Sequence, residues 1–437
     1  MEKTNINKKT KLINAVVANK DGEIFDLPDF AGVGMAGETL FLLTEAGTID
    51  IPFGSELMMM PQRKPIVYSF DKKEFEVLEF NPYDPKEEIF PVAVFNSPGY
   101  VNKYFPAYEN DKDANLLPLF SYGATGFGKN GFRSAAILVD DEPRQDLRLM
   151  PQDKILAGIK ERQKQYPNNR LMRHLEKCAT EYSCPAGKNF FLKRYEAPLP
   201  TARACNARCL GCISQQEEDL LTSPQNRIQF TPTPLEISEV AIEHIQTVEN
   251  AVVSFGQGCE GDPLTAFDVI EPAIKKIREK TDKGTINLNS NSSLPDLVAQ
   301  LFDAGLDSLR VSINSVRPSC YTTYFRPNGY KFEDVLKSIE KGLKKGKFIS
   351  LNYINCPGFT DSELEFEALI KFLEKYPVNM IQWRNMNYDP QAYCKTMFKA
   401  GKKSSPLGIG FIINELEKRF PKLIHGYFNP PKEKHGK

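Results

Sequence analysis

A net charge is missing from this chain. Lys plus Arg and Asp plus Glu both number 56, so nothing overall attracts a polyanion, and a nucleic-acid partner is not expected. Long apolar runs are missing too: none approaches the roughly 20 residues of a membrane span. The first residues, Met1-Glu2-Lys3-Thr4-Asn5-Ile6-Asn7, lack the apolar core of a signal peptide, which makes a cytoplasmic protein the expectation. In such a compartment, nine cysteines point to thiol or metal chemistry rather than to disulfides. What is present is the balance of a globular protein, with 41% apolar and 26% charged residues, and 437 residues leave room for two domains.

The order of elements predicts an α/β protein. Over residues 1–150, brief alternating runs (Leu12 to Val17, Glu23 to Asp26, Thr39 to Leu43, Thr48 to Ile51, and later runs around 65–70, 75–80 and 90–95) are separated by turn chemistry such as Asn19-Lys20-Asp21-Gly22. This reads as an N-terminal β-rich domain. The stretch Tyr122-Gly123-Ala124-Thr125-Gly126-Phe127-Gly128 lacks the Lys-Ser/Thr ending of a phosphate loop and reads as a connection. Residues 151–189 turn helical, with Ile155, Ile159 and Arg162 on one face and Leu171, Leu175 and Cys178 on another. From 190 to 425, β-branched runs alternate with amphipathic stretches. Strands are predicted at 197–203, 251–255, 285–289, 308–313, 348–354 and 380–385, and helices at 234–247, 266–279, 294–304, 332–345 and 361–375. Repeated β-α of this kind argues a parallel sheet with helices outside, six strands of a partial barrel rather than eight. Residues 426–437 read as a flexible tail.

Cys205, Cys209 and Cys212 are spaced C-x3-C-x2-C, in a stretch whose Asn206, Ala207, Arg208 and Gly211 read as a turn. Three thiolates are one short of the four that structural zinc or an ordinary iron–sulfur cluster takes. Neither 194–204 nor 213–223 supplies a further cysteine or histidine. The loop therefore borrows a distant ligand or leaves an iron open for chemistry.

On these residues the chain resembles the radical S-adenosylmethionine (radical SAM) superfamily. The resemblance implies a partial (β/α)6 TIM-like barrel and two cofactors: a [4Fe–4S] cluster on Cys205, Cys209 and Cys212, and S-adenosylmethionine (SAM). It further implies reductive cleavage of SAM to a 5′-deoxyadenosyl radical that abstracts hydrogen from a substrate. An electron donor such as flavodoxin or ferredoxin would be the partner, and the substrate class stays open between peptide, nucleotide and small metabolite. Glu260-Gly261-Asp262-Pro263 is similar to the family's Gly-Gly-Glu-Pro motif, so Gly261, Asp262 and Pro263 are expected to hold the amino end of SAM. Asn289 and Ser312, at the ends of the third and fourth strands, are the expected ribose contacts. Gly211 departs from the family pattern, in which an aromatic residue often precedes the last cysteine. Cys356, in the Pro-Gly turn after the fifth strand, reads as a buried thiol, with hydrogen-atom donation as its alternative. On the sixth strand, alternation sends inward either Gln382 and Arg384 or Trp383 and Asn385. Cys178 and Cys184, with Cys259 or Cys394, are the remaining candidates for an auxiliary cluster, although Cys178-x5-Cys184 is not a clear cluster motif. The competing reading is a non-enzymatic iron–sulfur or zinc-binding scaffold.

Overall fold

The computed structural model describes residues 11–217 and 221–435 and divides into two compact units interleaved along the chain. One runs up to Val139 and adds Asn355–Phe366 and Asn385–Glu415. The other holds Asp140–Ile354, Glu367–Arg384 and the chain from Leu416 onward.

The first unit is β-rich and antiparallel, as expected. Strand Asn14–Asn19 lies between Ile24–Ala31 and Asp84–Phe95, and Arg63–Ser69 pairs with the far side of Ile24–Ala31. Ala15, Val17, Leu27, Val67 and Ile89 form one of its buried clusters. The glycine-rich stretch is not a connection. Gly123–Gly128 is a strand, paired with Asp84–Phe95 and with Gly131–Ser134. Its composition reflects close packing: a Cβ at Gly126 would lie 2.6 Å from Ile13 Cδ1 and 2.9 Å from Asn14 O. Within this unit the buried Arg63 guanidinium pairs with Asp389 at 3.0 Å. Asp389 also caps helix α10 (Pro390–Ala400) by accepting from Ala392 N–H. The cluster Lys395, Lys399, Lys402 and Lys403 is solvent-exposed.

The second unit opens with helices α1 (Gln152–Gln165), α2 (Arg170–Thr180) and α3 (Pro185–Phe191). The residues predicted for the inner faces of the first two are buried. The parallel sheet follows in chain order: Glu196–Pro198, Val252–Phe255, Thr285–Ser290, Ser308–Ile313, Phe348–Asn355, Met380–Asn385 and Ile424–Gly426. Its helices include α4 (Pro234–Thr247), α5 (Phe267–Lys280), α6 (Pro295–Ala304), α7 (Pro318–Phe325), α8 (Phe332–Lys344) and α9 (Glu363–Lys375). α4 starts where its sequence dictates: Thr233 and Glu236 form a capping box and Pro234 occupies the first turn. This is the expected half-barrel, with two differences. The first strand is three residues long, not seven, because the N–H groups of Thr201 and Ala202 leave the ladder for the Glu260 carboxylate. Of the segment expected as a tail, residues 426–435 are built into the unit, and 436–437 lie outside the described residues. At its start, Ile424–Gly426 adds a seventh parallel strand beside Met380–Asn385. Asn429 is buried, donating to Glu196 and accepting from Gln382. Among the described residues, no helix is long and apolar enough to cross a membrane.

Candidate active site

The three cysteines lie on an irregular loop after the first parallel strand, each partly buried. Neighbouring backbone holds the loop from several sides. Arg208 N–H donates to Phe325 O at 2.9 Å, and Leu210 N–H donates to Tyr324 O at 3.1 Å. Asn328 N–H reaches Asn206 O at 2.8 Å. Gln216 donates from its amide to the carbonyls of Leu210 and Cys212. Burial pushes the Cys205 thiol up to about 11, aided by the nearby Asp262 charge, and burial raises the Cys209 thiol well above its ordinary value. These two thiols hold their protons at neutral pH unless a cation replaces them. Arg227 approaches Cys212 Sγ at 3.8 Å.

The segment Gly256–Pro263, after the second strand, clasps this loop. Gly261 N–H donates to Ala202 O at 2.7 Å and Asp262 N–H to Ala204 O at 3.0 Å. A Cβ at Gly261 would sit 1.8 Å from Ala204 O, so only glycine permits the approach. Glu260, which the sequence offers only as a departure from a glycine, organises the segment. One carboxylate oxygen accepts from Thr201 and Ala202 N–H and the other from Gly256 and Gln257 N–H, at 2.7–2.9 Å. Burial still carries its carboxyl up to about 7, against the pull of those four amides. Asp262 staples two loops together: it caps the short turn Pro263–Ala266 and accepts from Ser290 Oγ and Asn291 N–H. Burial raises its carboxyl, and the same backbone amides oppose the rise.

Asn289 is buried beside this segment, donating to Gly256 O at 3.1 Å. Asn291 donates to Asn206 on the cysteine loop at 2.7 Å, a link the sequence left unassigned. Thus Cys205, Cys209, Cys212, Gly261, Asp262, Pro263 and Asn289 belong to one connected network. Ser312 is half-buried on the fourth strand, in register with Asn352 on the fifth. On the sixth strand, Gln382 and Arg384 share the polar face: Arg310 donates to Gln382 at 2.9 Å, and Arg384 donates to Asn352 at 3.2 Å. Trp383 takes the other face, against Tyr353 and His425. With Asn287 and Ser308 hydrogen-bonded on neighbouring strands, the strand faces carrying Arg310 and Arg384 are strongly polar. A cavity of about 1120 Å³ opens beside the cysteine loop, lined by Lys177, Arg203, Ser214, Arg227 and Asp268 among others.

Residues 199–372 match the family model of the radical SAM superfamily. The chain carries a radical SAM domain over those residues. It is 27% identical over 187 residues to GTP 3′,8-cyclase of Lactiplantibacillus plantarum, covering 40% of this chain and 52% of that protein. It is 25% identical over 193 residues to molybdenum cofactor biosynthesis protein 1 of Bos taurus, covering 41% of this chain and 28% of that one. The chain therefore spans about half or less of these curated relatives. Among solved structures, Streptococcus suis SuiB bound to precursor peptide SuiA aligns over 60% of this chain and 53% of that chain, at 13% identity and a TM-score of 0.38. Radical SAM proteins are enzymes whose cofactors are a [4Fe–4S] cluster and SAM.

The cysteine loop of this radical SAM domain suits a multi-iron group. In tetrahedral zinc, Zn–S bonds of about 2.3 Å put thiolate sulfurs about 3.8 Å apart. Among the described residues, His174, Cys178 and Cys259 bring their ligand atoms within 4.8 Å of one another. The loop itself offers three partly buried thiols, one short of a closed four-ligand zinc site and the soft donor set an iron–sulfur cluster takes.

Proposed function

We propose that this protein is a radical SAM enzyme that generates a 5′-deoxyadenosyl radical to abstract hydrogen from a polar substrate. The observation that carries this reading is a triad of partly buried loop thiols clasped by the glycine-containing turn of the next strand. Cys205, Cys209 and Cys212 would hold the cluster. When bound, the cluster and SAM supply reductive cleavage to methionine and the 5′-deoxyadenosyl radical. The backbone of Gly261, Asp262 and Pro263 would orient the amino end of SAM, and Asn289 and Ser312 would meet the ribose. Glu260 and Asp262 keep that turn in place by spending their carboxylates on backbone amides. The polar strand faces around Arg310, Gln382 and Arg384 favour a polar substrate over an apolar one, and a closed site protects a radical from stray hydrogen donors. A cytoplasmic protein reductant such as flavodoxin or ferredoxin would deliver the electron.

The test compares Cys209→Ala with Cys320→Ala, the latter a buried thiol on α7 outside the loop. Anaerobically reconstituted Cys209→Ala should lose its iron, its acid-labile sulfide and all reductive formation of 5′-deoxyadenosine from SAM. Cys320→Ala should keep them. Equal iron in the two variants refutes the assignment.

A further inference from the structure

A second set of metal-ligating atoms lies in the same unit. His174 and Cys178 stand one turn apart on α2, so their side chains share a face. Cys259 meets them from the Gly256–Pro263 segment. His174 Nε2 is 3.4 Å from Cys259 Sγ, and Cys178 Sγ is 3.7 Å from Cys259 Sγ. All three ligand atoms lie within 4.8 Å of one another. Cys178 and Cys259 are 2% and 5% exposed, so their convergence is not a chance meeting of mobile surface groups.

From these distances we infer a zinc site on His174, Cys178 and Cys259, separate from the iron–sulfur loop. Tetrahedral zinc with Zn–S of about 2.3 Å and Zn–N of about 2.0–2.1 Å sets S···S near 3.8 Å and N···S near 3.5 Å. The observed 3.7 Å and 3.4 Å lie within 0.2 Å of those ligand–ligand spacings. Neutral imidazole with two thiolates is also a donor set that zinc takes readily. The fourth position falls to a water molecule or to Cys184, whose N–H donates to Cys178 O at 2.9 Å and whose thiol lies outside the tight group. The consequence is mechanical. Cys259 immediately precedes Glu260 and Gly261, and its carbonyl accepts from Ile228 N–H at 2.8 Å. Zinc here pins α2 to the turn that clasps the cysteine loop.

The site makes its own prediction, independent of the radical chemistry. Full-length protein purified anaerobically from zinc-replete medium should carry stoichiometric zinc through exhaustive dialysis. The triple variant Cys205→Ala, Cys209→Ala, Cys212→Ala should lose iron and keep zinc. The pair Cys178→Ser, Cys259→Ser should lose zinc while iron and sulfide persist. Should that pair fail to fold, half-buried His174→Gln provides the milder variant, expected to hold zinc more weakly. Cobalt(II) added to zinc-stripped wild-type protein should give the intense visible bands of a tetrahedral thiolate site. The inference is overturned by wild-type protein without stoichiometric zinc and without those bands. It is equally overturned by zinc content unchanged in the His174, Cys178 and Cys259 variants, or by zinc lost with the loop cysteines.

Discussion

Gly261 has no space for a side chain, and this gives the sharpest single-residue prediction. Gly261→Ala would drive a methyl group to 1.8 Å from Ala204 O, so the clasp on the cysteine loop must open. A displacement of about 1 Å at a positioned site costs on the order of 100-fold in rate. Formation of 5′-deoxyadenosine should fall by that order, with iron loading reduced, as measured on the reconstituted variant. A rate equal to the parent's would show that the close approach is dispensable. The residues carrying this chemistry were legible at different depths. The cysteine spacing stands in the string itself, and so does the Gly-Asp-Pro turn. The work of Glu260 does not. Its role depends on four amide groups from two segments some 55 residues apart in the chain, which no local pattern records.

At the scale of elements, the first unit rests on a buried ion pair that bridges distant sequence. Arg63 follows a turn in the β-rich region and Asp389 caps α10, and both are 3% exposed. Removing one partner leaves the other charged and dry, a loss of about 3–5 kcal/mol. Asp389→Ala should lower the urea midpoint accordingly and also uncap α10, while Asp389→Asn, which keeps a capping oxygen, should cost less. A midpoint within error of wild type for the alanine variant would show the pair to be energetically idle. Helices and strands of the half-barrel were legible because apolar periodicity runs through them: the expected strands 308–313 and 380–385 and the helix 234–247 have the observed bounds. The missed pieces are short. Ile424–Gly426 offers three residues and no period, and the first strand stops early because its amides turn to Glu260. The His174-x3-Cys178 spacing was a usable signal for a metal-ligating helix face, and only its partner Cys259 was hidden by distance.

Across the molecule, one fully buried and one half-buried histidine weaken the fold in acid. His244 is fully buried, its Nε2 facing Tyr195 O. Half-buried His425 accepts from Trp383 Nε1 through Nδ1, which requires that nitrogen to be unprotonated. Burial lowers both from 6.5 to about 4. Unfolded histidine binds a proton below pH 6.5 while the folded side chain refuses it, so the unfolded state gains protons first. The contribution of these two rings is therefore full above that pH and falls toward pH 4, by up to about 1.4 kcal/mol per pH unit for each ring, while Glu260, carried up to about 7 by burial, works in the opposite direction. Urea titrations at pH 7 and pH 5 should show it as a difference between proteins: wild type should lose more stability on acidification, or gain less, than His244→Gln. An identical pH dependence in that variant would sink the assignment.

By itself the sequence determined the element types of the half-barrel, the three loop thiols and the turn that faces them, because these depend on periodicity and short spacing. Tertiary structure alone decided which face of the sixth strand turns toward Arg310, that Glu260 organises its turn, and that Cys178 and His174 meet Cys259. Those outcomes depend on hydrogen bonds and ligand distances between residues tens to hundreds of positions apart. Chain closure over such separations is set by the packing of the whole unit, and no local string encodes it.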